Sequence, residues 1–174
     1  SPHPREEFRL SASTSPAHAG PEETFPRLLL EHARLRGGRT AIREKDLGIW
    51  LSWTWSQVAD EVRSIACGLA ALGFQRGQTI AVIGDNRPRL YWTMMAAQCL
   101  GGIPVPLYQD AVAQEMLFVL DNAQIEFAVV EDQVQVAKLL EILPASGRLR
   151  HIVYDDTRGL RNYTERQQIG RAHV

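Results

Sequence analysis

The stretch TIAVIGDNRPRLYWTMMAAQCLGGIPVPLY, residues 79–108, constrains the fold more than any other part of the chain. Thr79–Ile83 is β-branched or small and apolar, which reads as a buried strand. Gly84-Asp85-Asn86 breaks that run, and Pro88 suits the first turn of a helix, where its missing N–H is not needed. The helix is expected to run to Leu100 and to stop at Gly101-Gly102, and Ile103–Leu107 follows as a second apolar strand. A strand–helix–strand unit of this length predicts a right-handed parallel crossover.

The rest of the chain extends that unit. Ser1–Pro21 is rich in Pro, Ser, Ala and His, lacks periodicity and lacks the apolar core of a signal peptide, so a disordered leader is expected over residues 1–21. An opening Ser rather than Met suggests a trimmed chain or a cut piece of a longer one. Order is expected from Thr24, with Leu28, Leu29, His32 and Leu35 on one helical face and Gly37-Gly38 ending the helix. Thr40–Lys45 and Ile49–Thr54, separated by Asp46-Leu47-Gly48, predict a small hairpin. Thr54 with Gln57 three residues on forms a capping-box signature, and Val58, Val62, Ile65, Leu69 and Leu72 give an apolar stripe that Gly73 closes. Val62, Ile65, Leu69, Ile80 and Val82 are the expected core.

Beyond the central unit, helices are expected from about Val112 to Asn122, with Leu117 and Leu120 inward, and from Asp132 to Leu143 before Pro144. Strands are expected over Ile125–Val130 and Leu149–Tyr154. After Gly159 the pattern fades; residues 161–174 read as a tail or a truncated continuation, with Thr164–Val174 a helix or a tail. The fold class is therefore α/β, a parallel sheet flanked by helices with a small β-hairpin near the N-terminus, and the ordered unit spans residues 24–160. Ligands in such sheets sit beyond the carboxyl ends of the strands. Gly84-Asp85-Asn86, Tyr108-Gln109-Asp110, Glu131-Asp132 and Asp155-Asp156 occupy those ends. They are acidic and would repel a triphosphate unless a metal intervened; helix capping is the simpler role for Asp85, Asp110 and Asp132.

Composition narrows the function classes. Apolar residues make up 45% of the 174 and charged residues 22%, as in an ordinary globular domain with a proper core. A net charge of −1 with no basic block gives no support to a nucleic-acid partner. No apolar run reaches the ~18 residues of a membrane span, which leaves peripheral contact with a membrane open. Cys67 and Cys99 each fall in a predicted helix, so two reduced, packed thiols in a reducing, cytoplasmic setting are expected. The histidines at 3, 18, 32, 151 and 173 show no metal spacing, and the Asn162-Tyr163-Thr164 sequon means nothing in a cytosolic chain.

GDNRP, an apolar helix, then LGGIPVPLY resembles the amino-terminal half of the AMP-forming acyl-CoA synthetases, the adenylate-forming superfamily, and most of all its long-chain fatty acid branch. The family's "leucine, two small residues, then valine-proline" motif is matched by Leu100, Gly101, Gly102, Val105 and Pro106. VPLY followed by Gln109-Asp110, and FAVVEDQVQVAKLL, point to the same branch. Leu51–Val58 sits where the family carries its first core motif and matches it loosely, with Trp53 as the aromatic; a structural role is expected, pinning the hairpin to the following helix.

The likeness covers roughly Phe25–Tyr154 and implies the N-terminal subdomain of the acyl-CoA synthetase fold. In that family the glycine-rich phosphate loop, adenine motif, hinge aspartate and catalytic lysine lie further downstream. Here the only lysines are Lys45 and Lys138, neither after a glycine-rich run, and no dinucleotide, nucleophile-elbow or metal motif appears.

The resemblance therefore implies a parent enzyme that uses ATP, Mg2+ and coenzyme A to activate a fatty acid. It also implies that this portion alone is inactive, with no catalytic, cofactor-binding or metal residue to assign and no cofactor bound. Luciferases, aryl-CoA ligases and peptide-synthetase adenylation domains share the architecture. A standalone α/β binding or regulatory module and a non-catalytic scaffolding piece are the other readings. Loss of a packing partner from the sheet predicts self-association as a homodimer, through exposed apolar area or an unpaired sheet edge.

Overall fold

The structure, a computed structural model, describes residues 24–155 and 169–171. Its elements in chain order are α1 (Phe25–Arg36), β1 (Thr40–Asp46), β2 (Ile49–Thr54), α2 (Trp55–Ala71), β3 (Thr79–Ile83) and α3 (Pro88–Cys99). They continue as β4 (Ile103–Leu107), α4 (Ala113–Asn122), β5 (Phe127–Val130), α5 (Gln133–Ile142), β6 (His151–Tyr154) and β7 (Ile169–Arg171). β1 and β2 form a separate antiparallel hairpin, while the other five strands form one parallel sheet in the order β4-β3-β5-β6-β7. The expected leader over residues 1–21 lies outside the described residues.

β3 is the centre of the molecule. It pairs with β4 on one side and β5 on the other, and Ile80–Ile83 are at most 1% exposed. Because strand side chains alternate between faces, β3 serves two cores. Ile80 packs with α1–α3 in a cluster holding Leu29, Val62, Leu69, Phe74 and Trp92. Ala81 and Ile83 pack with Met116, Leu120, Val136 and Leu139 of α4 and α5 on the other face. The result is three layers, helices on both sides of the sheet, as the alternating pattern predicts.

Several sequence expectations hold in detail. Thr54 Oγ1 accepts from Gln57 N at 3.3 Å while Thr54 N donates to Gln57 Oε1 at 2.8 Å, a complete capping box. Asp132 caps α5, its Oδ1 accepting from Gln135 N at 3.1 Å. All five residues expected in the core are buried, Ile80 and Val82 more completely than the α2 positions.

Others need correction. Asp85 and Asp110 do not cap helices: the residues before α3 and α4 are Arg87 and Val112, and neither makes a side-chain cap bond. Asp85 Oδ1 instead accepts from Asn86 N at 2.8 Å. Leu28, Leu35 and Leu72 are exposed, because α1 and the end of α2 touch the body along a narrower strip than periodicity assumes. β5 and β6 begin two residues later than expected, since Ile125 and Leu149 are buried in the approaches rather than in the ladder. Cys67 and Cys99 are free but exposed, lying on the outward sides of α2 and α3 rather than packed. Partial burial nevertheless pushes the Cys99 thiol up from its ordinary value. Within the expected tail, Ile169–Arg171 is a strand that extends the sheet beside β6, not a helix.

The β4 edge is closed to strand addition. Ile103 N donates to Gln78 O at 2.9 Å, so Ile103, Val105 and Leu107 direct their backbone groups at β3. Pro104 and Pro106 therefore face the outer edge, where they offer no N–H at all.

Candidate functional site

The order of the five strands decides where a site can be. From β3 the chain steps outward to β4, then reverses and builds β5, β6 and β7 on the opposite side. At such a reversal the connections leaving neighbouring strands diverge to opposite faces and open a crevice at the carboxyl ends. Here that crevice lies between β3 and β5, and it opens into a cavity of about 470 Å³. Its floor is Val82, Ile83, Val129 and Val130, and its walls are Ile65 and Leu69 of α2 and Trp92 of α3.

The loop after β3 is anchored to the end of β5. Glu131 N donates to Ile83 O at 3.0 Å, and Glu131 Oε2 accepts from Asp85 N at 2.6 Å. This approach leaves no room at Gly84, where a Cβ would lie 2.9 Å from that of Glu131. Glu131 Oε1 also holds Arg87 Nε at 3.0 Å, and Arg87 reaches Glu44 of the hairpin at 3.5 Å. Arg89 Nε pairs with Asp155 Oδ1 at 3.1 Å beyond β6. Hairpin, β3, β5 and β6 are thus tied together around the mouth by two guanidiniums.

Two of the lining residues carry a buried side-chain polar atom with no hydrogen-bond partner, Glu61 Oε2 on α2 and Trp92 Nε1 on α3. A largely apolar recess with a few polar groups around it is the usual form of a binding pocket. Its charge is less usual. Glu44, Glu61, Asp85, Glu131 and Asp155 line it against Arg87 and Arg89. Among the described lining residues there is no histidine, cysteine or lysine to act as a base or nucleophile. No group of three or more His, Cys, Asp or Glu side chains among the described residues could hold a metal ion. With a net negative lining and both arginines already paired, this cavity does not fit a magnesium-bound triphosphate.

The acidic strand ends marked in the sequence are split by the fold. Asp85, Glu131 and Asp155 meet at the cavity; the Tyr108-Gln109-Asp110 loop turns to α5, where Gln109 O accepts from Gln135 Nε2 at 3.1 Å and from Lys138 Nζ. Asp156 lies outside the described residues. Lys138 is therefore committed to a backbone carbonyl, and Lys45 sits over the Trp50 ring on the hairpin, 5.9 Å from its centroid. Trp53 pins the hairpin to α3 rather than to α2, packing edge-on against Trp92 at 5.3 Å, and it forms part of the cavity wall. Glu61 and Trp92 had carried no signal of their own in the sequence, and Arg87 had counted only as part of GDNRP: each sits on a helix or loop whose inward face is settled only by packing.

The profile of the family described as "AMP-binding enzyme" matches residues 29–172. The chain belongs to that family. Among curated proteins, it is 32% identical over 125 residues to the uncharacterized protein Rv1549 of Mycobacterium tuberculosis, an alignment covering 68% of this chain and 69% of that one. It is 31% identical over 137 residues to the long-chain-fatty-acid–CoA ligase ACSBG2 of Rattus norvegicus, covering 79% of this chain and 20% of the rat enzyme. The chain thus spans about a fifth of the length of that ligase relative. Among solved structures, the coronafacic acid ligase of Pectobacterium brasiliense superposes with a TM-score of 0.71 at 17% identity, over 83% of this chain and 27% of that one. At that identity the likeness establishes the fold, which is the N-terminal α/β subdomain seen in acyl-CoA ligases. As an AMP-binding family member, the chain holds the family's "leucine, two small residues, valine-proline" segment at the end of α3 and along β4, the edge of the sheet away from the cavity.

Proposed function

We propose that this chain is the amino-terminal portion of a long-chain fatty-acid–CoA ligase. In the whole enzyme a fatty acid carboxylate attacks the α-phosphorus of ATP with Mg2+ shielding the phosphates, and pyrophosphate leaves. The thiol of coenzyme A then attacks the acyl carbon, loses its proton, and AMP leaves. The observation that carries this reading is the 31% identity with a long-chain-fatty-acid–CoA ligase across 79% of the chain. The residues described here contribute scaffold and one wall of a recess rather than reacting groups, so the 174-residue chain alone is inactive. The setting that fits is the cytoplasm, with peripheral membrane contact; no helix among the described residues is long and apolar enough to cross a membrane.

The test is acid-dependent exchange of labelled pyrophosphate into ATP. The purified chain is expected to match a heat-killed control with every fatty acid tried, because a lysine-bearing phosphate loop is missing from its sequence. Exchange above that control overturns the assignment of inactivity.

A second reading has one observation in its favour. The 125 residues shared with Rv1549 are 69% of that protein, so a relative of similar length exists. In that reading the chain is a standalone α/β binding or regulatory module. Reading the coding sequence past Val174 separates the two: a glycine-rich loop followed by lysine supports the ligase, and a stop codon supports the module.

A two-fold dimer of the chain is also part of the proposal, formed through exposed apolar side chains such as Phe118 and Val134 rather than along the β4 edge. Sedimentation at micromolar concentration is expected to show it. A single monomeric species that binds no hydrophobic dye overturns it.

A further inference from the structure

The β1–β2 hairpin carries an apolar tip that neither core uses. Leu47 at the turn is 94% exposed, and Ile49 and Trp50 beside it are 66% and 64% exposed. A large apolar residue in water at a protruding turn gains nothing for folding. Leu47 is also badly placed for its own backbone. The turn is Leu47-Gly48, with φ of +46° and +84°, the two-residue type that favours Asn or Asp followed by Gly. Glycine suits its position; leucine at positive φ is strained, and Asn would be better in both conformation and solubility.

Charge is sorted around that tip. In the hairpin register Lys45 stands opposite Trp50 and Arg43 opposite Ser52, so these four side chains share one face. Arg43 and Lys45 are exposed there. Glu44 and Asp46, opposite Leu51 and Ile49, lie on the other face and are half-buried, with Glu44 held by Arg87. From the tip backwards, the outer face therefore runs from an apolar turn, to a Trp beneath a Lys ammonium, to an Arg. That is the order in which a lipid surface changes from acyl chain to carbonyl region to phosphate.

We infer that the hairpin tip is a membrane-docking wedge for an anionic lipid surface, with Leu47 at the turn and Trp50 on the outer face entering the interface and Lys45 and Arg43 meeting the phosphates. The tip is convex, so it does not suit a small molecule, and its outer face is complementary to negative charge. The inference rests on the peripheral membrane contact in the proposed function, and stands apart from the cavity and from any catalytic assignment.

Vesicle co-flotation of the 174-residue chain tests it. Binding is expected to phosphatidylcholine vesicles containing phosphatidylserine, about tenfold weaker to phosphatidylcholine alone, and weaker as salt rises. Leu47→Asn should abolish flotation while melting at or above the temperature of the parent, since Asn tolerates the turn better. Trp50→Ser should weaken flotation several-fold with the fold kept. No flotation of the parent on anionic vesicles at low salt, or flotation unchanged in both variants, overturns the inference. So does self-association that Leu47→Asn removes in the absence of any vesicle binding, which would make the tip a contact between two copies.

Discussion

Ile80→Ala should lower the melting temperature of the chain by roughly 6–20 °C. Ile80 is fully buried in the central strand and faces the α1–α3 side, where Phe74, Trp92 and Phe127 belong to the same cluster. Its strand is held on both sides by parallel ladders, opposite Pro104 and Phe127, so the backbone cannot settle into the space left behind. Large-to-small changes of this kind cost about 2–5 kcal/mol, and the loss is greatest where the surroundings cannot collapse. For a domain of this size each kcal/mol moves the midpoint by about 3–4 °C. Leu69→Ala, at a residue that borders the 470 Å³ cavity, should fall at the low end of the same range, since part of its surface already faces empty space. Thermal unfolding followed by circular dichroism checks both. A shift under about 1 °C for Ile80→Ala would mean that β3 is not the centre of the sheet.

Gly102→Ala should destabilise by about 1–3 kcal/mol, although it adds only a methyl group. A Cβ at Gly102 would stand 2.4 Å from both Cε1 and Cζ of Phe74, and 3.2 Å from Ala97 O. Phe74 has little freedom to retreat. It is 4% exposed, and its ring is set edge-on against Phe127, 5.2 Å away at 84°. The new methyl must therefore displace either an aromatic side chain from the core or the start of β4 from the end of α3. Gly68→Ala is the matched control: it lies within α2 with nothing inside 4 Å of its Cβ, and it should stabilise by about 0.5–1 kcal/mol through helix propensity. Denaturant titration of the pair gives opposite signs if the Phe74 contact is the cause; a loss of equal size in both would assign the Gly102 effect to something other than crowding.

This glycine shows how far sequence reading extends. Gly101 and Gly102 mark the end of α3 by their type alone, and β3 and β4 have the ends that the apolar runs predict; in β3 the run is apolar because the strand is buried on both faces, while β4 lies at the edge and is only partly covered. The Thr54–Gln57 box was equally legible, since capping needs only residues three apart. The absence of a lysine-bearing phosphate loop was likewise plain from residue order.

What depends on elements far apart in the chain was decided by the tertiary structure. A repeating strand–helix pattern does not say which way each crossover steps, so the order β4-β3-β5-β6-β7, and with it the crevice between β3 and β5, came only from packing. Asp85 shows the consequence. Its acidic neighbour in space, Glu131, is 46 residues away, and that long-range contact, not a local helix cap, sets the loop. Leu28, Leu35 and Leu72 make the same point for helices: periodicity names a face, but how much of it is covered depends on the curvature of the body it meets. Trp50 and Trp53, three apart in one short strand, end in different environments for the same reason. Strand alternation puts Trp53 against Trp92 and leaves Trp50 in water beneath Lys45, because only one face of the hairpin has something to lie on.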